Sequence, residues 1–250
     1  MLEGLKDALE HVEGLARENE KTEVIEICGH TYANKSLKRY DNTDKATALE
    51  ASSLTALLDY IGACYEEFPK DTDMIIHIVN PKRVRLISAL DAERTRECLF
   101  EVNAEVNEFR FGHWYDQEAF MIELQANFQS SEDLELVQKM AGNVERKNDQ
   151  SYADDGISQV AVMTVGAAAK ADVKVPNPVT LIPYRTFQEV EQPASAFVFR
   201  VGDKGEPTFM LQEAQNGLWR NEAVANIKAY LAQEVSHMQP NVRDHITIIG

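Results

Sequence analysis

The chain has 250 residues, 44% of them hydrophobic and 26% charged, and its 41 acidic against 25 basic side chains give a formal charge of -16. This is a globular composition rather than the low-hydrophobicity mix of a disordered chain, and a chain of this length buries roughly 70–75% of its unfolded surface. So acidic a balance opposes a nucleic-acid-coating role, which gains its affinity from Lys and Arg that displace counterions.

Other classes fall on pattern. The longest uncharged apolar stretch, Ile157–Ala169, is too short to span a bilayer. The opening Met1-Leu2-Glu3 has no basic region ahead of an apolar run, so no secretory signal is expected. Cys28, Cys64 and Cys98 are odd in number and far apart. They predict reduced thiols and a cytosolic protein.

Along the chain, Leu2, Leu5, Leu9, Val12 and Ala16 form one helical stripe, with Glu3, Asp7, Glu10 and Glu13 opposite. The stripe has two readings: it docks on its own domain, or it pairs with a second subunit. Glu23–Cys28 reads as a short strand with Tyr32–Tyr40 as its partner. Leu54, Leu57, Leu58, Ile61 and Tyr65 mark a helix capped by Ser52 or Ser53 and closed by Pro69. Met74–Val79 and Arg83–Ser88 flank Asn80-Pro81-Lys82 as a hairpin, and Glu97–Ala104 extends it to a meander.

Asp116 caps a helix bearing Phe120, Leu124 and Phe128, and Ser130 or Ser131 caps one bearing Leu134, Val137, Ala141 and Val144. Glu145–Gly156 has no apolar period and reads as a boundary or mobile loop. Beyond it come strands at Ser158–Val165 and Val179–Phe187, separated by the stiff turn Pro176-Asn177-Pro178. A hairpin follows, with Phe197–Val201 and Thr208–Gln212 around Gly202-Asp203-Lys204-Gly205. A closing helix carries Ala223, Val224, Ile227, Tyr230, Leu231 and Val235, and Ile246–Ile249 is an added strand. The expected fold class is α+β, with antiparallel sheets, packed helices and two closely associated lobes. Its segments are residues 1–48, residues 49–145 (helix, meander and two helices) and residues 146–250 (antiparallel sheet with the C-terminal helix).

Chemical signatures are sparse. The chain has no phosphate-binding glycine loop, no GxSxG and no HExxH, and its six histidines are scattered. No metal and no cofactor is expected. Asp154 and Asp155 suit either Mg²⁺ coordination or an ordinary turn. The densest segment is 183–200, PYRTFQEVEQPASAFVFR. There Arg185 and Arg200 interleave with Glu189 and Glu191 between Pro183 and Pro193. Two readings stand: a buried ion-paired corner, or an anion site with Arg185 as bidentate donor. Charge is also unevenly placed. Residues 101–135 hold nine acids against Arg110 alone, half the net charge of the chain, whereas Lys82–Arg96 is basic. The acidic run is either a solvated face or a docking surface for a basic partner through Glu118, Glu123, Glu132 and Asp133.

Residues 112–128 (GHWYDQEAFMIELQANF), 154–166 (DDGISQVAVMTVG) and 175–200 (VPNPVTLIPYRTFQEVEQPASAFVFR) resemble the YfdQ-like family of phage and prophage proteins. The family is a domain of unknown function. The resemblance runs from about Leu54 to Leu231 and leaves the region before Leu49 unmatched. It implies a phage or prophage origin and action in the cytoplasm of the host cell, and it brings no catalytic residues. The leading expectation is therefore a non-enzymatic accessory protein that binds host or phage proteins and serves counter-defence or replication. Two alternatives stand beside it: a self-assembling structural homo-oligomer, and a nucleotide-binding protein or nucleotide-directed enzyme.

Overall fold

A computed structural model describes residues 2–27, 30–34, 45–69, 72–91, 94–144, 160–165, 169–202 and 206–250. The chain divides into two units, Met1–Lys45 and Ala46–Gly250. The expected loop at Glu145–Gly156, with Asp154 and Asp155, lies outside the described residues, as do Cys28 and the segment 35–44.

The first unit holds helix α1 (Leu2–Glu20) and a hairpin of β1 (Val24–Ile27) and β2 (His30–Ala33). Ion pairs one turn apart, Lys6–Glu10 and Glu13–Arg17, support the exposed side of α1. Asn34 closes the hairpin, accepting from the Glu23 backbone N–H at 3.0 Å and donating to the Lys21 carbonyl. Strand β2 begins earlier than the expected Tyr32.

In the second unit, β3 (Leu49–Ala51) precedes α2 (Leu54–Ala63), where Ser53 Oγ accepts from the Ala56 N–H. The meander follows as β4 (Met74–Asn80), β5 (Arg83–Ser88) and β6 (Cys98–Asn103), and Asn80 Oδ1 receives the Lys82 N–H to tighten the first turn. Next come β7 (Tyr115–Asp116), α3 (Gln117–Asn127) and α4 (Glu132–Asn143). Asp116 and Ser131 cap the two helices, as their spacing predicts. Among the described residues, strands β8 (Val160–Val165) and β9 (Ala169–Lys174) pair only with each other. The chain closes with β10 (Val179–Leu181), β11 (Ser195–Gly202), β12 (Thr208–Glu213), α5 (Trp219–Ser236), α6 (Pro240–Arg243) and β13 (Ile246–Ile249).

The class is α+β, with antiparallel and mixed sheets. A five-stranded sheet runs β13-β4-β5-β6-β3, with β13 parallel to β4 and β3 parallel to β6. A four-stranded antiparallel sheet runs β10-β11-β12-β7. Each sheet has its own core. The five-stranded sheet buries Ile76, Val84, Leu86 and Val102 against Leu57 and Ile61 of α2 and Ile227 and Leu231 of α5. The four-stranded sheet buries Phe197, Phe199, Phe209 and Leu211 against Phe120 and Leu124 of α3 and Val137 of α4. Seven of the ten phenylalanines stand in or against this second core, so it is aromatic where the first is aliphatic. Phe120 stacks on Phe209 at 5.3 Å and on Phe199 at 5.9 Å.

Two expectations are corrected. The closing helix does not cover the sheet that precedes it. Ala223, Ile227, Leu231 and Val235 lie on one line of α5 and are buried, and the helix packs on α2 and β4 of the first sheet. The reason is topological: β13 pairs with β4, so the chain after β12 must return to the first sheet. Helices α3 and α4 in turn cover the second sheet, so each core draws on both halves of the sequence. The strand expected at Val179–Phe187 also stops at Leu181. Pro183 has no N–H to extend it, and the backbone N–H groups of Arg185 and Thr186 are taken by the Gln192 side chain.

Candidate functional site

Segment 183–192 crosses from one core to the other. Leu181 belongs to the aromatic core, while Phe187 and Val190 belong to the aliphatic one. Gln192 holds the bend together. Its Oε1 accepts from the N–H groups of Arg185 (2.9 Å) and Thr186 (3.2 Å), and its Nε2 donates to the carbonyls of Phe187 (2.8 Å) and Val190 (3.3 Å). All four bonds are buried, so this side chain does for the corner what a strand partner would otherwise do. Thr186 Oγ1 donates to the Pro81 carbonyl and ties the corner to the meander turn. Asn226 of α5 donates to the Glu191 carbonyl from the other side.

Arg185 is the buried charge of this corner, 7% exposed. Its Nη2 donates to Ser195 Oγ (2.6 Å) and to the Pro193 carbonyl (3.1 Å), and its Nη1 to Glu213 Oε1 (3.1 Å). The guanidinium carbon lies 4.2 Å from the centroid of the Trp219 ring. Burial pulls its pKa down to about 10, and the Glu213 charge only partly opposes that. The ion pair expected within the segment is therefore drawn differently. The partner is Glu213 at the end of β12, and not Glu189 or Glu191. Glu189 Oε1 instead accepts from the Thr55 N–H in the first turn of α2, where a carboxylate suits the helix dipole. Glu191 is exposed, and Arg200 is half-buried among the residues of β11 that alternate with Phe197, Phe199 and Val201.

Three concavities surround the corner. One, of about 200 Å³, is lined by Phe109, Phe111, Asn127, Arg185, Trp219 and Arg220, with Lys82, Glu108 and Glu213 among its remaining walls. A second, about 420 Å³, shares Asn107, Asn127 and Tyr184 with it, and a third, about 380 Å³, lies between Ser52, Ser53 and Glu189. Asn127 is 3% exposed, and its Nδ2 donates to both the carbonyl and the carboxylate of Glu123. Its Oδ1 and the Arg185 Nε are buried without a hydrogen-bond partner. Gln192, Thr186, Asn127 and Trp219 were not singled out in the sequence. Their signal was weak, because each acts on residues distant in sequence or through its backbone.

The four acidic candidates on α3 and α4 separate into two kinds. Glu123 is bound to Asn127, and Asp133 Oδ2 accepts the Thr180 N–H at 2.6 Å, which pins α4 to β10. Glu118 and Glu132 are exposed, as is Glu135, and none of the three has an ion pair among the described residues. The exposed aliphatics Ile122 and Leu136 lie on the same two helices. Within the acidic run, Glu101 and Glu108 are neutralised by the basic stretch. Arg83 and Arg85 both bind Glu101 across the β5–β6 register, and Lys82 binds Glu108.

Among the described residues no cluster of His, Cys, Asp and Glu could hold a metal, and no helix is long and apolar enough to cross a membrane. Cys64 and Cys98 are unpaired, and burial raises the Cys98 thiol pKa. No protein-family model, curated protein or solved structure matches this chain.

Proposed function

We propose that this chain is a phage or prophage accessory protein, active in the host cytoplasm, that works by binding a basic protein rather than by catalysis. The resemblance of residues 112–128, 154–166 and 175–200 to the YfdQ-like family supports the setting. The observation that carries the binding reading is the outward side of the packed helices α3 and α4. There Glu118, Glu132 and Glu135 stand exposed and unpaired among the described residues, on the helices that also expose Ile122 and Leu136. Acids in the first turn of a helix complement its dipole. An exposed aliphatic side chain has no such role, and acids around apolar contact points suit a basic, partly apolar partner. The buried polar groups of the 183–192 corner, apart from the Arg185 Nε, are engaged in hydrogen bonds and an ion pair, which suits holding a shape. Capture of partners by the full chain at low and at moderate salt tests the proposal. A basic partner released as salt rises supports it, because screening shortens the reach of charge from about 10 Å at 0.1 M to about 3 Å at 1 M. A partner held equally at both salts opposes it.

A second reading, self-assembly, is favoured by the first unit. Leu9, Val12 and Leu15 of α1 are 62, 61 and 50% exposed, and Val24, Ile25 and Tyr32 of its hairpin are exposed as well. The positions Leu2, Leu5, Leu9, Val12 and Ala16 keep the alternating three-four spacing with which helices pair. A homo-oligomer built through α1 would bury that face.

A further inference from the structure

Helix α1 repeats its apolar positions with the seven-residue period that lets two helices supercoil. Leu2, Leu9 and Ala16 hold one core position of the repeat, and Leu5 and Val12 hold the other. Leu9, Val12 and Leu15 are exposed. Leu15 falls outside this seam, just before Ala16, and Ala8 holds the equivalent place one repeat earlier. Lys6 and Glu13 hold the opposite flank, each following a core position, and both are exposed.

These flanks decide how two copies fit. In an antiparallel pair each flank faces the same flank of the other helix, whereas in a parallel pair it faces the opposite one. Setting Leu9 against Val12 of a second copy places Lys6 beside the Glu13 of that copy and, by symmetry, Glu13 beside its Lys6. The same register brings Leu15 to Ala8 of the second copy, so the large apolar side chain outside the seam meets a small one. Within each chain Lys6 is paired with Glu10 and Glu13 with Arg17. Each charged flank then runs Glu10, Lys6, Glu13, Arg17, the last two from the second copy, in unbroken alternation of sign. A parallel pair instead sets Glu13 beside Ala8 and joins no charge to its opposite across the seam.

We propose that α1 is the contact of a symmetric dimer, in which it pairs antiparallel with α1 of a second copy of this chain. This dimer rests on the self-assembly reading and gives it an orientation and a number of copies. The occupant is a second copy because the pattern is complementary to itself: a two-fold axis lets Lys6 and Glu13 supply both members of both pairs. A helix of 19 residues offers under three repeats, so the contact is small and the dimer is expected to be reversible, its mass rising with concentration.

The test is light scattering of the full chain over a range of concentrations at about 0.15 M salt, where the Debye length is about 8 Å and the repulsion between two acidic copies is screened. Lys6→Glu and Glu13→Lys each set like charges together on both flanks, and each is expected to weaken self-association on the order of tenfold. An equimolar mixture of the two variants is expected to dimerise again, because the acidic flank of one meets the basic flank of the other. That recovery also shows that each variant keeps a folded helix. Ala16→Cys reports the orientation. In the antiparallel register its two thiols lie about 16 Å apart along the axis, at about 1.5 Å per residue and out of disulfide reach, whereas in a parallel pair they face each other. Oxidation is therefore expected to give no more cross-linked dimer than the wild type gives. The proposal is overturned if either charge reversal leaves the dimer unchanged, if the mixture stays monomeric, or if Ala16→Cys cross-links efficiently. A wild-type dimer that ignores the reversals but is lost on deleting residues 1–20 removes the antiparallel pairing alone. A strictly monomeric wild type removes the self-assembly reading with it.

Discussion

Arg185 and Glu213 stand 28 positions apart in sequence and 3.1 Å apart in space, joining the corner before β11 to the end of β12. The guanidinium is also held by Ser195 and the Pro193 carbonyl and lies against Trp219, so four separate pieces of chain meet at one buried charge. Removing one partner of a buried pair leaves the other charge uncompensated, which typically costs about 3–5 kcal/mol. Glu213 keeps some solvent contact, so Arg185→Ala is expected to cost about 3 kcal/mol, at the lower end of that range. Thermal unfolding should show a fall in Tm of roughly 6–12 °C for a chain of this size. An unchanged Tm would remove Arg185 from the framework of the fold.

Gln192 carries the corner without any charge. Replacement by Leu keeps its bulk but strips the partner from two buried N–H groups and the Val190 carbonyl, and leaves the Phe187 carbonyl only the Val190 N–H. At about 1–3 kcal/mol for each unsatisfied group, Gln192→Leu should destabilise by more than about 3 kcal/mol. The neighbouring exposed Gln188→Leu should stay within about 0.5 kcal/mol. Chemical denaturation of the two variants side by side checks the contrast, and equal effects would mean that the corner does not depend on Gln192.

Glu101 links stability to pH. Burial raises its carboxyl pKa, but the hydrogen bonds from Asn103, Arg85 and Arg83 outweigh that and hold it below the usual value. A carboxyl lowered in the folded state contributes stability that is complete above the unfolded pKa, about 4.3 for Glu, and is lost as pH falls through the folded pKa. Wild type should therefore exceed Glu101→Gln in stability at pH 6, and the gap should close between about pH 4.3 and the lowered folded value. Denaturation at a series of pH values measures it, and a gap independent of pH would contradict the charge-assisted network.

The apolar side of α1 makes the oligomer testable. Deleting residues 1–20 should shift the mass measured by light scattering toward smaller species. A strictly monomeric full-length chain would end the self-assembly reading.

What was legible in the sequence was local. Ser53, Asp116 and Ser131 each cap through a hydrogen bond to a residue three positions on, so their helices could be placed from the side chains alone. The turn at Asn80–Lys82 and the alternation of β4, β5 and β11 were equally plain, because a strand with one buried face has period two. The sheet that receives α5 was not legible, since an apolar helical face records that it must be buried but not against what. Residue chemistry held a partial clue: Ile227 and Leu231 join the aliphatic core, and Phe120 joins the aromatic one. The partner of Arg185 was hidden for a related reason. Glu189 and Glu191 are its neighbours in sequence, but the turn built by Gln192 sends Glu189 to the start of α2 and the guanidinium to Glu213.

The central claim is that the outer side of α3 and α4 is a contact surface for a basic protein. Its most direct measurement is the association rate of a captured partner with the full chain and with the triple variant Glu118→Lys, Glu132→Lys, Glu135→Lys. The substituted side chains are exposed, so circular dichroism and Tm should change little, apart from the small cost of placing cations at helix N-termini. The expected outcome is a rate that falls steeply with salt for the wild type and is at least tenfold slower at low salt for the variant, since steering by charge acts on the approach of the two molecules. A partner whose association rate is indifferent to both salt and the three reversals would contradict the claim and leave the acidic run as a solvated face.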